Sequence, residues 1–203
     1  MKKYLLTVLL GVFAIAGFSQ VKWGARFGMN FSNQTKFDDT KALPGFTMGV
    51  GMDYGFTENW SLQSGLMITS KGYKYKESLV GSSGTEDVKL RPIYLDIPIL
   101  AAYKFAISDN AKLVVNAGPY MAIGLGGKAK WDDVDAKLFD DKGEDWKRFD
   151  LGIQYGIGLE LGEHYLVNFT GQNGFITPYD FADGYDGDKP KNMSFAIGVG
   201  YRF

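Results

Sequence analysis

Residues 149–162, with the sequence FDLGIQYGIGLELG, alternate large apolar residues with small or polar ones at every second position. Successive side chains of a β-strand point to opposite faces, so the pattern predicts a strand with one apolar face and one glycine-rich face. A helix would spread both kinds of residue around its circumference, and each internal glycine would cost up to about 1 kcal/mol. The stretch is therefore predicted to be a strand.

Side-chain size decides which face of this strand points inward. The apolar face carries seven large residues, and the other face carries glycines with a few charges. The interior of a small closed barrel is only just wide enough for its own side chains, so the large residues of every strand would not fit inside. An outward apolar face of this length needs lipid around it, which predicts a transmembrane β-barrel.

The same alternation recurs along the chain and predicts an all-β fold, an eight-stranded antiparallel up-and-down transmembrane β-barrel. The predicted strands are residues 21–31, 45–56, 60–70, 93–105, 112–126, 149–162, 165–173 and 193–203. Pro98 and Pro119 fall inside two of these strands. Because proline cannot donate a ladder hydrogen bond, we expect a bulge or a missing bond there.

The connections between the predicted strands alternate in length. Long connections are residues 32–44, 71–92, 127–148 and 174–192, and short ones are residues 57–59, 106–111 and 163–164. Outer-membrane barrels have long external loops and short periplasmic turns, so both chain termini are predicted on the periplasmic side.

Residues 1–19 have the features of a cleavable signal peptide. A basic start precedes an apolar run at residues 4–18, and Gly17 and Ser19 are small residues that suit cleavage after Ser19. A membrane-spanning helix is the alternative for this run, which is short for that purpose. The mature barrel domain is then residues 20–203, exported to the outer membrane of a Gram-negative bacterium.

The alternation points eight charged residues into the barrel. The basic ones are Lys22, Arg26, Lys104 and Arg202, and the acidic ones are Asp53, Asp96, Asp150 and Glu160. Unpaired buried charges are costly, so we expect an interior network of ion pairs that includes Arg202 and Glu160, with no continuous water path. A wet lumen in which these groups are hydrated is the alternative.

Three segments resemble one known family. Residues 94–105, YLDIPILAAYKF, resemble the signature strand of the PorT-like outer-membrane β-barrels of Bacteroidetes, and residues 23–32, WGARFGMNFS, resemble that family's first strand. Residues 198–203, with Tyr201 and Phe203, resemble the terminal aromatic signal read by the barrel-assembly machinery. The resemblance implies a small barrel like OmpX or the barrel of OmpA, and it implies the assembly machinery as a partner during biogenesis.

The sequence predicts no catalytic, cofactor or metal site. His164 is the only histidine and lies in a short turn at the predicted periplasmic end, far from external loops where a histidine–serine pair would meet lipid. The glycine strings at residues 124–127 and 156–162 lie inside predicted strands, whereas a dinucleotide loop precedes a helix. The chain has no cysteine, which excludes disulfides and thiolate metal sites.

Charged loops suggest partners at the membrane. The second loop carries five basic residues that are candidates for lipopolysaccharide phosphates: Lys71, Lys74, Lys76, Lys89 and Arg91. The third loop is acidic around residues 132–145, and residues 183–188 resemble part of a calcium loop. Hydrated loops and shared divalent ions are the alternatives for these acids. A net charge of −1 argues against nucleic acid.

The function favoured by these patterns is that of a structural or surface-interaction barrel. Its lumen is filled by side chains, and its long external loops contact outer-membrane lipid and lipopolysaccharide. An unidentified surface or periplasmic protein is a further candidate partner. The alternatives are a narrow pore or transport channel, and then an outer-membrane enzyme or a secretion-system accessory.

Overall fold

Eight strands of the computed structural model close into an antiparallel β-barrel, as the alternation predicts. The structure describes residues 21–35, 40–78, 85–131, 134–139, 146–179 and 189–203. The strands are β1 Val21–Gln34, β2 Lys41–Gly55, β3 Trp60–Ser70, β4 Tyr73–Ser78, β5 Thr85–Ser108, β6 Ala111–Trp131, β7 Val134–Lys137, β8 Phe149–Leu161, β9 Tyr165–Gly174 and β10 Asn192–Arg202. The ring runs β1–β2–β3–β5–β6–β8–β9–β10 and returns to β1. None of the described residues lies in a helix long and apolar enough to cross a membrane.

Two short strands lie in connections that the sequence predicts to be loops. β4 pairs with β2 and β5 where β3 has ended, and β7 pairs with the end of β6. β5 and β6 therefore extend well beyond their predicted limits of residues 93–105 and 112–126. The loop prediction is wrong here because the outward face of these extensions carries lysine and arginine. A charged outward face suits water and lacks the apolar signature of a lipid-facing strand.

The outer surface of the barrel is apolar, and its interior is polar. Along β8, Ile153 is 40% exposed and Ile157 is 48% exposed, whereas Gln154 and Glu160 are buried. This reverses the arrangement of a water-soluble protein and matches a wall that faces lipid. The direction of the predicted alternation is thus confirmed.

Strand pairing is interrupted beside Pro98. The ladder between β5 and β6 has pairs at Pro98↔Tyr120 and Ala101↔Ala117 with none between them, and the register is unchanged. Ser64 Oγ donates a 2.7 Å hydrogen bond to the carbonyl of Pro98, which explains a hydroxyl on an otherwise apolar face. The expected missing bonds are confirmed, while the two irregularities in register lie on either side of Pro98, between Ile93 and Tyr94 and between Ala106 and Ser108.

Candidate functional site

The barrel interior is the candidate site because its polar side chains form two separate ion clusters. We call the end with the connections at residues 56–59, 109–110 and 162–164 the turn end, and the opposite end the loop end. One cluster lies in each half. Each is built from inward positions of several strands, since alternate side chains of every strand point into the lumen.

The turn-end cluster joins two basic and two acidic side chains. Lys104 Nζ lies 2.7 Å from Asp53 Oδ2 and 3.0 Å from Glu160 Oε1. Arg202 holds Glu160 through two hydrogen bonds of 2.5 and 3.2 Å, and its Nη2 lies 3.7 Å from Asp53 Oδ2. Gln63 Nε2 donates a further 3.0 Å bond to Asp53. Such bidentate arginine–carboxylate pairs are strong and fix geometry, so this cluster fills the lumen rigidly.

The loop-end cluster places one lysine between two carboxylates. Lys71 Nζ lies 3.0 Å from Asp96 Oδ1 and 3.9 Å from Asp150 Oδ2. The same ammonium group lies 5.2 Å from the centre of the Tyr94 ring and 4.6 Å from that of Tyr120. Hydrogen bonds to the two carboxylates come from Tyr120, Gln172 and Asn192. The ammonium group, the two carboxylates and their three hydrogen-bond donors thus pack together in the loop half of the lumen.

Lys71 corrects the prediction that it belongs to an exposed loop. Only 3% of its side chain is exposed, and its backbone N–H donates to the carbonyl of Pro92. Without Lys71, Asp96 and Asp150 would face each other inside the barrel with no cation nearby, which is strongly unfavourable. The signal available in the sequence was this excess of negative charge among inward residues of the loop half.

Lys22 corrects the prediction that it belongs to the interior network. Its side chain is exposed at the second position of β1. The register places it opposite Asp53, but the Asp53 carboxylate is already bound by Lys104 and Gln63. At the rim of the barrel, Lys22 keeps its ammonium group in water at no desolvation cost. Lys71 takes its place, so the interior residues that the structure describes still include four basic and four acidic ones.

Arg26 is half-buried and lines the space between the clusters. It forms no ion pair with a described side chain, and it borders two adjoining polar cavities of about 60 and 30 Å³. Asn30, Thr47 and Gln172 also line the larger one. That cavity has room for about four to six waters at roughly 10–15 Å³ each. The middle of the lumen therefore has room for water, and both of its ends are filled by side chains.

Aromatic residues from the long connections cover the loop-end cluster. Trp146 Nε1 donates a 2.9 Å hydrogen bond to the Tyr94 hydroxyl, and its ring lies edge-on to Tyr179 at 4.9 Å. Tyr179 is hydrogen-bonded to Tyr73 and donates a 3.0 Å bond to Gln34. We call this group and its neighbours the aromatic cap; its buried members are Tyr73, Val88, Leu90, Ala129 and Trp146. The cap ties together all four long connections above Lys71.

Burial raises the pKa of the Tyr73 hydroxyl to about 12 and also raises that of Tyr179. In both cases the loss of hydration is the largest cause, because an ionised phenol would be buried in the cap. The hydroxyls therefore stay protonated and can hold the hydrogen bonds that connect the loops.

Other predicted positions carry no reactive constellation in the described part of the chain. His164 lies in the turn after β8, where its Nδ1 is 2.8 Å from the carbonyl of Arg202 and its ring stacks on Tyr201. The described ranges contain no group of three or more metal-ligating side chains. Residues 1–19, the acids at 132–133 and 140–145 and the 183–188 motif lie outside the described residues.

The glycine string of β8 provides room for a neighbouring ring. A Cβ atom at Gly152 would lie 2.6 Å from Tyr120 Cε1 and 2.2 Å from the carbonyl oxygen of Asn173. The Tyr120 ring thus reaches Lys71 only because position 152 has no side chain. The string is part of the interior packing.

Comparison with known proteins gives one family and several similar structures. A family model described as "outer membrane protein beta-barrel domain" matches residues 16–177. The fold is similar to Ail, the attachment invasion locus protein of Yersinia pestis, with 15% identity, a TM-score of 0.45 and coverage of 90% of this chain and 97% of that chain. It is similar to Neisserial surface protein A with 14% identity, a TM-score of 0.48 and coverage of 91% and 98%. It is also similar to OprG from Pseudomonas aeruginosa with 16% identity, a TM-score of 0.45 and coverage of 90% and 95%. No curated protein matches the chain.

Proposed function

Because the chain belongs to the outer membrane protein beta-barrel domain family, we propose that it is a structural or surface-interaction barrel with a closed lumen. The barrel spans the outer membrane, and its long connections form an external platform. The two ion clusters carry the proposal, since they hold three basic and four acidic side chains, and Arg26 between them supplies the fourth positive charge. Balanced and hydrogen-bonded charges are the form in which buried ions are tolerated.

Closure at both ends supports this function over that of an open channel. At the turn end, Arg202 and Glu160 join β10 to β8, and Lys104 of β5 and Asp53 of β2 complete the cluster across the lumen. At the loop end, Lys71 reaches Asp96 under the aromatic cap. A solute would have to separate both ion pairs, and each separation leaves buried charges without partners.

A narrow pore is the second candidate, and the polar cavities around Arg26 favour it. They total about 90 Å³ between the two clusters, and a channel would also need open space at this depth. Movement of Lys71 and its cap would connect this space to the loop end. The turn-end pairs would still block it, so we rank the pore second.

An enzyme ranks third because no nucleophile–base pair is apparent in the described interior. His164 is engaged with the backbone at the turn end and stacked on Tyr201. A general base must lie within hydrogen-bond reach of the substrate proton that it removes. His164 lies at the turn end, which is the predicted periplasmic side and is remote from the external loops.

The proposal includes the route by which the barrel reaches the membrane. Residues 1–19 act as a cleaved signal peptide, and the Gram-negative cell is of the Bacteroidetes, with the chain in the PorT-like group. Tyr201 and Phe203 are 45% and 73% exposed at the end of β10, which supports their role as an assembly signal. Removing Phe203 should slow insertion by purified assembly machinery without changing the stability of barrel that has already folded.

A swelling assay tests the closed lumen. Liposomes that contain the purified full chain should swell in small sugars no faster than liposomes without protein, while a general porin in the same lipid should accelerate swelling. Swelling that increases in proportion to the amount of the chain would overturn the proposal and promote the pore.

A further inference from the structure

Four lysines form a continuous row across the outer face of the wall at the loop end. Strand register sets Lys41 opposite Lys74, Lys74 opposite Lys89, and Lys89 opposite Lys130. The row crosses β2, β4, β5 and β6 side by side. Neighbouring strands lie about 4.8 Å apart, so the row is about 14 Å long. We call it the lysine row.

A second set of basic residues lies one step closer to the membrane. Arg91 of β5 is opposite Lys128 of β6, which is opposite Lys137 of β7. All three side chains are exposed, and the intervening Leu90 and Ala129 are buried as members of the aromatic cap. The two sets therefore share one outward face, and the alternation puts the apolar residues on the other.

The lysine row is electrostatically unfavourable by itself. Like charges directly opposite each other on neighbouring strands destabilise a sheet. None of Lys41, Lys74, Lys89 and Lys130 forms an ion pair with a side chain that the structure describes. Asp135 of β7 is opposite Lys130 in the register and lies at one edge of the row only. An external anion would remove the repulsion along the rest.

The position of the row matches the headgroup layer of a membrane. Ile93 and Leu95 of β5 belong to the outward apolar face that meets lipid. Arg91 and Lys89 follow at two and four residues beyond Ile93 on the same face. At about 3.3 Å per residue and a strand tilt of roughly 40°, they lie about 5 and 10 Å above that position. The headgroup layer is about 5 to 7.5 Å thick on each side of the hydrocarbon core, so Arg91 lies within it and the long side chain of Lys89 reaches it from just above.

We propose that the lysine row and Arg91 bind the phosphate groups of an outer-leaflet phosphorylated glycolipid of the lipopolysaccharide type. The row offers several ammonium groups along one line, which suits a headgroup with more than one phosphate. The proposal rests on the outer-membrane location and on an external loop end. It is independent of whether the lumen is closed.

Binding of labelled lipopolysaccharide to the folded full chain in phosphatidylcholine nanodiscs tests this site. The double variant Lys74→Ser/Lys89→Ser should bind about 25-fold more weakly, at about fivefold for each lysine near a charged surface. The matched control is Lys22→Ser/Lys112→Ser, which removes the same charge from exposed positions at the turn end. The control should bind like the parent protein. Enzymatically dephosphorylated lipopolysaccharide should bind the parent as weakly as the intact glycolipid binds the double variant.

The same samples supply the outcomes that overturn the proposal. Equal losses in the double variant and in the control would mean that general attraction carries binding. Equal binding of intact and dephosphorylated glycolipid would exclude phosphate as the recognised group, and equal binding of phosphatidylglycerol would exclude a glycolipid site. Loss of the electrophoretic shift of a folded barrel in the double variant would also contradict it, because relief of repulsion should leave the fold intact. A negative result in this binding assay would not alter the result expected of the swelling assay, which tests the closed lumen separately.

Discussion

Lys71 Nζ lies 3.0 Å from the Asp96 carboxylate, and only 3% and 2% of the two side chains are exposed. Lys71 directly follows β3, and Asp96 lies on β5, which is the neighbouring wall strand. The pair joins the start of a long connection to the barrel interior. It explains how the loop half of the lumen tolerates Asp96 and Asp150 together.

Lys71→Met should lower the free energy of unfolding by about 3–5 kcal/mol, because it leaves two buried carboxylates without their cation. Urea unfolding in lipid vesicles, followed by tryptophan fluorescence, measures the change. Lys74→Met is the matched control at an outward position three residues away, and it should change stability by roughly 0–1 kcal/mol.

A second substitution separates lost charge pairing from lost packing. Lys71→Met/Asp96→Asn should recover part of the stability, since one of the stranded charges is removed with its partner. Equal tolerance of Lys71→Met and Lys74→Met would contradict the interior placement of Lys71.

The alternation of residues along each strand predicts the barrel wall. Contacts between residues far apart in the sequence determine which side chains meet in the lumen. Period-two alternation predicts β3 at residues 60–70 and gives the inward direction of Asp53, Asp96, Asp150 and Glu160. Side-chain size and strand geometry suffice for these features. These features are local, because the alternation within one strand shows which of its side chains point inward.

Neither the inward position of Lys71 nor the extensions of β5 and β6 were predicted from the sequence. The inward positions of β3 are odd-numbered, so extending its alternation by one residue past Ser70 would point Lys71 inward; the prediction missed this because it ended the strand at residue 70 and assigned Lys71 to a loop. The position of Lys71 also depends on Asp96 and Asp150, which are distant along the chain. β4 and β7 form because β5 and β6 provide open edges above the membrane, a condition set by tertiary structure.

An arginine on the lipid-facing surface should be costly in the middle of the wall and tolerated at its edge. Ile153→Arg should destabilise the barrel by about 2–4 kcal/mol, and Leu161→Arg at the turn end by about 0–1 kcal/mol. Refolding yield and urea midpoint in vesicles measure both. Equal effects at the two positions would mean that residue 153 does not face hydrocarbon.

Single cysteines should report which end of the barrel faces the cell exterior. The natural chain has no cysteine, so each variant carries one reactive thiol. In whole cells, an impermeant maleimide should label Lys137→Cys on β7 and leave Glu163→Cys in the turn unlabelled. Disruption of the outer membrane should make the second site reactive. The opposite order of labelling would invert the topology.

The aromatic cap should loosen at high pH. The pKa of Tyr73 is raised to about 12 from its ordinary value of 10.0, so the folded cap holds the proton more tightly than the unfolded chain does. The contribution of the protonated Tyr73 hydroxyl to stability is complete below the ordinary pKa of 10.0 and is lost as the pH rises through about 12. Proteolysis of the loops at increasing pH, with tyrosinate absorbance, should show this step. Tyr73→Phe should remove the step, and an unchanged profile in that variant would contradict the role of the hydroxyl.

Single-channel recording in planar bilayers tests the closed interior most directly. The parent protein should show no large, stable conductance steps, because the Lys71–Asp96 pair and the Arg202–Glu160 pair obstruct the lumen at its two ends. The charge-neutral variant Lys71→Ser/Asp150→Ser/Glu160→Ser/Arg202→Ser removes members of both clusters and should conduct once its electrophoretic shift shows a folded barrel. Steady porin-like currents from the parent protein would contradict the account.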